Sequence, residues 1–368
     1  MTDTPETLRV GILGAGSIFG AYARGLGMVD HLPIVRVADL DQERARAGAR
    51  KWDIPAWGDA DALLADPDVD IVVNITQPAF HAELTEAALR AGKHVYVEKP
   101  LAATTAKARE NLAVAAETGR VLGCAPDTFL GSAAQTARAA VDSGLIGRPF
   151  AATSFVRSSR VETWHQDPSF LFRDGGGPVL DWGPYHLAAL VNLLGPVSHV
   201  VGVTDRAAEQ IVVTAPERRV DRIDVEVDTH ASALLKFASG AVVTAMYSFD
   251  VWDTTLPHLE IYGTGGTLHL PDPNTFDGPV LVRRRGDEDW SEVPPVMPRV
   301  TPDPPTPFRA LGVADLAAHL GGEPHRASGE FAYHVLEVLS ALEDRDIADG
   351  VTEITSTTER PAPVTQRP

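Results

Sequence analysis

The N-terminal stretch from Leu8 to Gly20 constrains the fold of this chain more than any other. A short apolar run, Leu8–Leu13, meets the glycine-rich turn Gly14-Ala15-Gly16, and the residues that follow Gly20 favour a helix. Strand, tight turn and helix in this order make the first unit of a parallel sheet. In such a unit, backbone N–H groups at the helix N-terminus bind the pyrophosphate of a dinucleotide. The stretch therefore predicts a dinucleotide-binding domain.

The glycine pattern departs from G-x-G-x-x-G at its third position. Gly14 permits the turn and Gly16 removes the Cβ that would block the phosphates, but Phe19 stands at the third position with Gly20 after it. The third glycine normally serves helix–strand packing, so Phe19 predicts a locally wider helix rather than a lost site. The alternative interpretation is an ordinary glycine-rich turn.

Asp39 ends the second predicted strand, Pro33–Ala38, about twenty residues after the glycines. A carboxylate at this place accepts hydrogen bonds from the adenosine ribose and repels a 2′-phosphate, which favours NAD over NADP. The next arginine along the chain is Arg44. Asp39 is also compatible with N-capping of the helix predicted over residues 42–51.

The alternation of strands and helices continues to residue 125, which predicts an α/β fold with a mostly parallel, Rossmann-type sheet over residues 1–125. From residue 126 to 325, long strands follow one another without helices between them, which predicts an α+β domain with a mostly antiparallel sheet. Residues 329–342 have apolar side chains at helical spacing. Residues 355–368 are predicted to be a poorly ordered tail.

Composition excludes several classes of function. The formal net charge of −18 argues against nucleic acid and anionic membrane surfaces as partners. The single cysteine, Cys124, allows no disulfide framework or thiolate cluster, and no His, Asp or Cys group shows ligand spacing, so no metal is expected. No apolar run reaches membrane-spanning length, and the expected location is cytoplasmic.

Two stretches carry candidate acid–base groups. Lys99 lies between Glu98 and Pro100 at the end of a predicted strand, and its spacing alone favours a surface lysine over a catalytic one. On one helix, Asp181 and Tyr185 would share a face, with His186 about 100° away. A carboxylate, a phenol and an imidazole near a lysine can move a proton from an alcohol. A helix cap, core packing and a buried histidine are the structural alternatives.

Four motifs together resemble the Gfo/Idh/MocA family of oxidoreductases, and the similarity covers nearly the whole chain. They are Gly14-Ala15-Gly16, Thr76-Gln77-Pro78-Ala79-Phe80-His81-Ala82-Glu83, Glu98-Lys99-Pro100, and Gly175-Gly176-Gly177 followed by Asp181 and Gly183. The resemblance implies an NAD-binding Rossmann domain and a second domain whose large open sheet packs against other copies in a homodimer or homotetramer. It also implies that the segment 326–354, with the helix 329–342, docks back on the first domain.

The resemblance also implies roles for individual residues. Lys99 matches the catalytic lysine of the family, before a proline that is often cis, and Asp181 matches the carboxylate that orients substrate. The catalytic histidine of many relatives is replaced here by Tyr185, as it is in the glucose–fructose oxidoreductase branch. The proton could pass to Tyr185 or to the adjacent His186, and the shared face with Asp181 favours Tyr185.

The complete set of candidate residues follows from these motifs and from polar or aromatic side chains nearby. The predicted cofactor-binding residues are Gly14, Gly16, Ser17, Ile18, Phe19, Asp39, Thr76, Gln77, His81, Glu98 and Lys99. The predicted substrate-binding residues are Lys99, Phe129, Trp164, His165, Arg173, Asp181 and Tyr185. Aromatic faces and hydrogen-bonding groups suit a polyol.

The sequence thus predicts an NAD-dependent dehydrogenase that acts on a secondary CH–OH group of a sugar, glycoside or cyclitol, or reduces the matching ketone. One alternative is a glycoside-cleaving enzyme that holds and recycles its NAD. A second is a noncatalytic NAD-binding sensor, which Lys99, Asp181 and Tyr185 together argue against, because a sensor does not need them.

Overall fold

The computed structural model describes residues 7–157, 161–301, 308–343 and 346–364. The chain divides into two compact units, and each is built from separate stretches of sequence. Among the described residues, the first unit comprises 7–127 and, later in the chain, 301 and 308–333, and the second comprises those between 128 and 300 and between 334 and 364. The sequence predicted a first boundary at residue 125, close to the observed one, but did not predict that residues 308–325 join the first unit. Across the described ranges, no helix combines the length and apolarity needed to cross a membrane.

The first unit contains a six-stranded parallel sheet. Its strands are β1 (Val10–Leu13), β2 (Ile34–Ala38), β3 (Ala56–Gly58), β4 (Ile71–Asn74), β5 (His94–Val97) and β6 (Leu122–Cys124). They are arranged in the order β3-β2-β1-β4-β5-β6, with every pairing parallel. β1 and β4 are fully buried, as expected of strands that helices cover on both faces. The predicted Rossmann sheet is confirmed.

Helices connect these strands, and local polar residues set where several of them begin. They are α1 (Phe19–Leu26), α2 (Gln42–Lys51), α3 (Ala60–Leu64), α4 (Pro78–Arg90) and α5 (Thr105–Thr118). Asp41, Asp59 and Thr104 accept hydrogen bonds from backbone N–H groups in the first turns of α2, α3 and α5. Gly119 ends α5 in the left-handed conformation, at φ +64°.

The second unit contains a nine-stranded mixed sheet and a separate two-stranded one. The strands up to residue 292 are β7 (Pro149–Arg157), β8 (Val197–Asp205), β9 (Gln210–Val212), β10 (Arg222–Asp224), β11 (His230–Phe237), β12 (Val242–Ser248), β13 (Leu259–Gly263), β14 (Gly266–Leu270), β15 (Leu281–Arg284) and β16 (Ser291–Glu292). The large sheet has the order β16-β15-β14-β13-β7-β12-β11-β8, and a short β17 (Thr352–Glu353) is added beside β8. Its pairings are antiparallel except that of β12 with β7. The predicted mostly antiparallel sheet is confirmed.

Helices cover one face of the large sheet. The second unit contributes α6 (Ser132–Asp142), α7 (Gly177–Asp181) and α8 (Gly183–Leu194), and every residue of α8 is buried. In β11 the residues Ala231, Ala233 and Leu235 are buried, whereas Leu234, on the other face, is 48% exposed. The alternation leaves a face of the central strands uncovered within the single chain.

The stretch from residue 308 to 333 docks on the β6 side of the first unit. Gly312, in the first turn of α9 (Leu311–Leu320), packs closely against Tyr96 of β5. A Cβ at Gly312 would lie 2.0 Å from the Tyr96 hydroxyl, so only glycine fits there. The Gly312 N–H donates to the Asp127 carboxylate over 3.1 Å, and Ser328 forms a β-bridge with Gly123. The docking is therefore made by residues 308–333, which overlap the predicted segment 326–354 only at 326–333.

The last helix, α10 (Gly329–Ser340), is divided between the units after Tyr333. In the first unit, Arg109 donates to the Tyr333 hydroxyl over 2.6 Å. In the second, His334 Nε2 accepts from the backbone N–H of Val197 over 3.0 Å. Only the first turns of the helix thus match the predicted docking on the Rossmann domain.

The predicted poorly ordered tail is bound to the second unit along residues 355–364, and residues 365–368 lie outside the described residues. Ser356 N–H donates to Glu337 over 2.8 Å, and Val364 N–H donates to Gln135 over 2.9 Å. Arg138, on α6, donates through Nη1 to the backbone carbonyl of Pro361 over 2.9 Å. No local pattern indicates this order, because Arg138 and Gln135 are 223 and 229 residues away from their partners and Glu337 belongs to the last helix.

Replacing Arg138 with methionine is expected to destabilise the second unit by about 2–4 kcal/mol, because the buried carbonyls of Asn192 and Pro361 lose a charged donor. The midpoint of urea unfolding measures the effect. Arg218→Met is the matched control, since Arg218 is half exposed and pairs with an exposed Asp221, and it should cost less than about 0.5 kcal/mol. Equal midpoints for the two variants would contradict the role given to Arg138.

Candidate functional site

The carboxyl ends of four strands of the first unit lie side by side. Leu13 is the register partner of Ala38 on one side and of Asn74 on the other, and Asn74 is the partner of Val97. The residues that follow these four therefore lie along one edge of the sheet. Ligands of open α/β sheets bind at this edge.

The glycine turn lies against the end of β4. Gly14 has φ +105°, and a Cβ there would lie 3.0 Å from the carbonyl oxygen of Ile75. By contrast, no heavy atom lies within 4 Å of the place that a Cβ of Gly16 would occupy. α1 has Ile18 at its N-cap, with no side-chain capping bond. Its first N–H groups and the open space at Gly16 fit a pyrophosphate.

Phe19 is accommodated by a second glycine. Phe19 is 5% exposed, and a Cβ at Gly48 of α2 would lie 2.9 Å from Phe19 Cε1. The missing side chain at Gly48 makes room for the ring between α1 and α2. The departure from the glycine pattern at Phe19 thus has a packing explanation, and the phosphate-facing part of the turn is unaffected.

Gly16→Ala is expected to leave the melting temperature of the cofactor-free protein unchanged and to weaken NAD binding at least about tenfold, which is about 1.4 kcal/mol. The added methyl meets no protein atom but occupies the space for the phosphates. Titration calorimetry with NAD measures the loss. Gly20→Ala is the control, because its Cβ would meet only Trp52, at an ordinary 3.7 Å. Unchanged NAD affinity in Gly16→Ala would remove the pyrophosphate from this turn.

Asp39 is tied to the glycine turn and does not cap α2. Its Oδ2 accepts from the Ala15 N–H and its Oδ1 from the Asp41 N–H, both over 2.8 Å. The cap of α2 is Asp41, so the N-cap interpretation of Asp39 is wrong. Arg44 Nη1 lies 3.6 Å from Asp39 Oδ1. A carboxylate held beside the turn fits a ribose, and it has an arginine close by.

Glu98, the residue that follows β5, links α1 to Lys99. Its Oε1 accepts from the Tyr22 hydroxyl over 2.7 Å, and its Oε2 accepts from the Lys99 backbone N–H over 3.0 Å. Burial raises the pKa of Tyr22 well above its usual value, so the phenol keeps its proton and remains a donor. The Lys99–Pro100 peptide bond is cis, and the Lys99 side chain is part-buried at the sheet edge.

His81 braces the chain beneath this edge. The side chain is 1% exposed, with Nδ1 2.7 Å from the Pro100 carbonyl oxygen and Nε2 3.1 Å from that of Thr76. Burial lowers the pKa of His81, so the ring is neutral and donates to one carbonyl only. His81 thus positions Thr76 and Pro100 from below. Gln77, in contrast, is exposed at the N-cap of α4.

In the second unit, the helix that would carry Asp181 and Tyr185 is interrupted. α7 ends at Asp181 and α8 begins at Gly183, with Trp182 between them at φ −104° and ψ −30°. The two residues therefore lie on successive helices that are separated by Trp182, whose backbone angles remain in the right-handed helical region. Asp181 is part-buried, and the Tyr185 ring lies 6.4 Å from that of Trp182.

His186 lies in different surroundings from Tyr185. It is fully buried, and its Nδ1 is 2.9 Å from the Ser154 hydroxyl on β7. Burial, with a smaller contribution from the charge of His258, lowers the pKa of His186 to about 3. The imidazole is therefore neutral and faces the sheet.

The other predicted substrate residues have unlike environments. Phe129 is 1% exposed, so its ring packs in the core and is not open to a ligand. Trp164 is 65% exposed, and its ring meets that of His165 edge-on, with centroids 5.6 Å apart. Arg173 lies in an exposed ion pair, with its Nε 3.7 Å from Glu226 Oε1. Sequence reasoning missed Tyr22, whose bond to Glu98 depends on the fold rather than on a local pattern.

Two family models match the chain. Residues 8–125 match the model described as an oxidoreductase family with an NAD-binding Rossmann fold, and residues 134–269 match the GFO/IDH/MocA C-terminal domain. Among solved structures, levoglucosan dehydrogenase in complex with NADH has a TM-score of 0.79 at 22% identity and covers 95% of this chain and 99% of its own. An oxidoreductase domain protein from Kribbella flavida has the same TM-score at 24% identity, covering 95% and 100%.

Curated relatives extend the match to sequence. A dTDP-3,4-didehydro-2,6-dideoxy-α-D-glucose 3-reductase from Streptomyces violaceoruber is 32% identical over 96% of both chains. D-glucoside 3-dehydrogenase from Escherichia coli is 33% identical over 53% of this chain and 56% of its own, and inositol 2-dehydrogenase from Pseudomonas savastanoi is 29% identical over 73% and 75%. The chain belongs to the Gfo/Idh/MocA family of oxidoreductases with an NAD-binding Rossmann domain.

Proposed function

We propose that the protein is an NAD-dependent dehydrogenase that oxidises a secondary hydroxyl of a sugar, glycoside or cyclitol, or reduces the matching ketone. The observation that carries this proposal is the alignment of strand ends, which puts Lys99 on the same sheet edge as the glycine turn and Asp39. The relatives named above supply the substrate class, since their names specify sugar and inositol chemistry.

The residues proposed to hold NAD are those along this edge. The turn at Gly14 and Gly16 and the start of α1 would bind the pyrophosphate, and Asp39 would bind the adenosine ribose. The rest of the cofactor would contact Thr76, Gln77, Glu98 and Lys99. A bound nicotinamide supplies the acceptor or donor of hydride. NAD is preferred over NADP because the Asp39 carboxylate would repel a 2′-phosphate.

We assign the removal of the proton from the substrate hydroxyl to side chains of this protein. The Lys99 ammonium would donate to the substrate hydroxyl and lower its pKa. Asp181 would accept a hydrogen bond from a substrate hydroxyl, and Tyr185 would receive the proton as the phenolate that a lysine ammonium favours. The full burial of His186 against the sheet, with its Nδ1 near Ser154, favours Tyr185 over His186 for this role.

The face left uncovered on the central strands supports a further proposal, self-association. Val203, Leu234 and Val242 lie on this face and are 40%, 48% and 38% exposed. Apolar side chains so placed on neighbouring strands favour packing against a second copy in a homodimer or homotetramer. Light scattering of the purified protein measures the mass, and a monomer at micromolar concentration would refute it.

The first experiment is an absorbance scan at the NADH band of tag-free protein with NAD and a panel of glucosides, nucleotide sugars and inositols. Glucosides are tested first, because the names of two relatives specify a reaction at position 3 of a hexose. NADH formation with one panel member supports the proposal and identifies the substrate class. Bound cofactor, no net NADH and a cleaved glycoside would instead show recycling.

A further inference from the structure

A polar cluster within the second unit is not used by the proposed reaction. It consists of His186 on α8, His258 just before β13, and Asp272 just after β14. One ligand atom from each lies within 4.8 Å of those of the other two. His186 is fully buried, and the other two are part-buried. The three residues are far apart in sequence, so no ligand spacing shows in the sequence.

The cluster contains a buried polar atom without a partner. His186 Nδ1 lies 2.9 Å from the Ser154 hydroxyl, but His186 Nε2 has no hydrogen-bond partner. An unpaired buried polar group costs about 1–3 kcal/mol. In the tautomer that donates Nδ1–H to Ser154, Nε2 carries an unprotonated lone pair that is available to a metal ion. This is the usual state of a metal-binding histidine, whose other nitrogen is fixed by a hydrogen bond.

His258 and Asp272 are also suited to binding a metal ion. The ring centroids of His186 and His258 are 6.4 Å apart. Asp272 Oδ1 accepts from the Asn274 backbone N–H over 2.9 Å, which fixes the orientation of the carboxylate. Ligand atoms around a tetrahedral zinc ion are about 3.4 Å apart, given bonds of about 2.0–2.2 Å. Small side-chain rotations of the part-buried His258 and Asp272 would bring the ligand atoms from within 4.8 Å of one another to this shorter spacing.

We propose that His186 Nε2, His258 and Asp272 bind one divalent transition-metal ion, with Zn²⁺ the expected occupant. Two imidazoles and a carboxylate form a ligand set typical of zinc. The ion satisfies the orphaned nitrogen and links α8 to the chain segments that flank β13 and β14. Its role is to hold α8 against the sheet, and it does not depend on the dehydrogenase proposal.

The test uses the full chain without a histidine tag. After one equivalent of Zn²⁺ is added to chelator-treated protein and unbound ion is removed by dialysis against metal-free buffer, elemental analysis should find about one zinc per chain. Zn²⁺ should also raise the melting temperature of the chelator-treated protein. His258→Gln and Asp272→Asn should each weaken Zn²⁺ binding at least tenfold. His319→Gln is the control, because it disrupts the other close histidine pair, whose rings stack at 5.0 Å in the first unit. It should leave Zn²⁺ affinity unchanged.

Cobalt keeps the proposal testable if a variant fails to fold. Co²⁺ added to chelator-treated wild-type protein should give the intense visible absorption of a four-coordinate site. A weak six-coordinate spectrum, the absence of stoichiometric zinc, or undiminished zinc binding in His258→Gln and Asp272→Asn would each overturn the site. The cluster would then be a hydrogen-bonded polar group or one that holds water.

Discussion

Lys99→Met is expected to lower kcat by about 10²–10⁴-fold while the dissociation constant for NAD stays nearly unchanged. Methionine keeps the length of the side chain but removes the ammonium that would donate to the substrate hydroxyl. The backbone N–H of Lys99, which donates to Glu98, is retained, so the sheet edge keeps its geometry. Initial rates and NAD titration on the same preparation separate the two effects.

Lys107→Met provides the matched control for Lys99. Lys107 lies exposed on α5 and pairs with Glu110, three residues further on, so its loss changes the net charge equally without touching the edge. Its kcat should equal that of the wild type. A Lys99→Met enzyme with the wild-type rate, on a substrate that the wild type turns over, would refute the catalytic assignment.

Asp39→Ser should raise the NADP-to-NAD ratio of kcat/KM by about 10²–10³-fold, since a removed like-charge contact is worth several kcal/mol. Serine takes away the carboxylate that, on this proposal, would face a 2′-phosphate. In the wild type, Arg44 Nη1 lies 3.6 Å from Asp39 Oδ1. Without that carboxylate, Arg44 can pair with the 2′-phosphate instead. Steady-state rates with both cofactors give the ratio.

The arginine can be tested separately. Asp39→Ser combined with Arg44→Gln should lose most of the gain with NADP, because the phosphate then has no cation. Glu43→Gln serves as the control on the same helix, since Glu43 is exposed and pairs only weakly with Arg46 at 3.5 Å. If Asp39→Ser leaves the cofactor ratio unchanged, the carboxylate does not face the ribose.

The features predicted well from sequence are those set by local pattern. The apolar run before Gly14 and the acidic residue after β2 fix neighbouring strand ends, because parallel strands joined by helices place their carboxyl ends on one edge. The parallel character of the first sheet and the mostly antiparallel character of the second were likewise predicted from the order of strands and helices along the chain. The family resemblance is likewise confirmed by the matched models.

The features missed are those that depend on distant residues. The Phe19 ring fits because Gly48 has no side chain, and Glu98 is held by a hydrogen bond from Tyr22. Neither pairing can be recognised from a local sequence pattern. The break at Trp182 lies between two stretches that each favour a helix, so a continuous helix was the natural expectation. The environment of His186 is made by strands that occur both before and after it in the chain.

Because each unit is assembled from two separated stretches, the order of synthesis matters. When residue 127 leaves the ribosome, the first unit still lacks Gly312 against Tyr96 and Ser328 against Gly123. The second unit likewise waits for Pro361 to reach Arg138. Folding that proceeds domain by domain from the N-terminus would stall here with exposed apolar surface. Each unit should therefore be completed only after its later stretch has been synthesised, and a fragment ending at residue 125 should be a poor substitute for the cofactor domain.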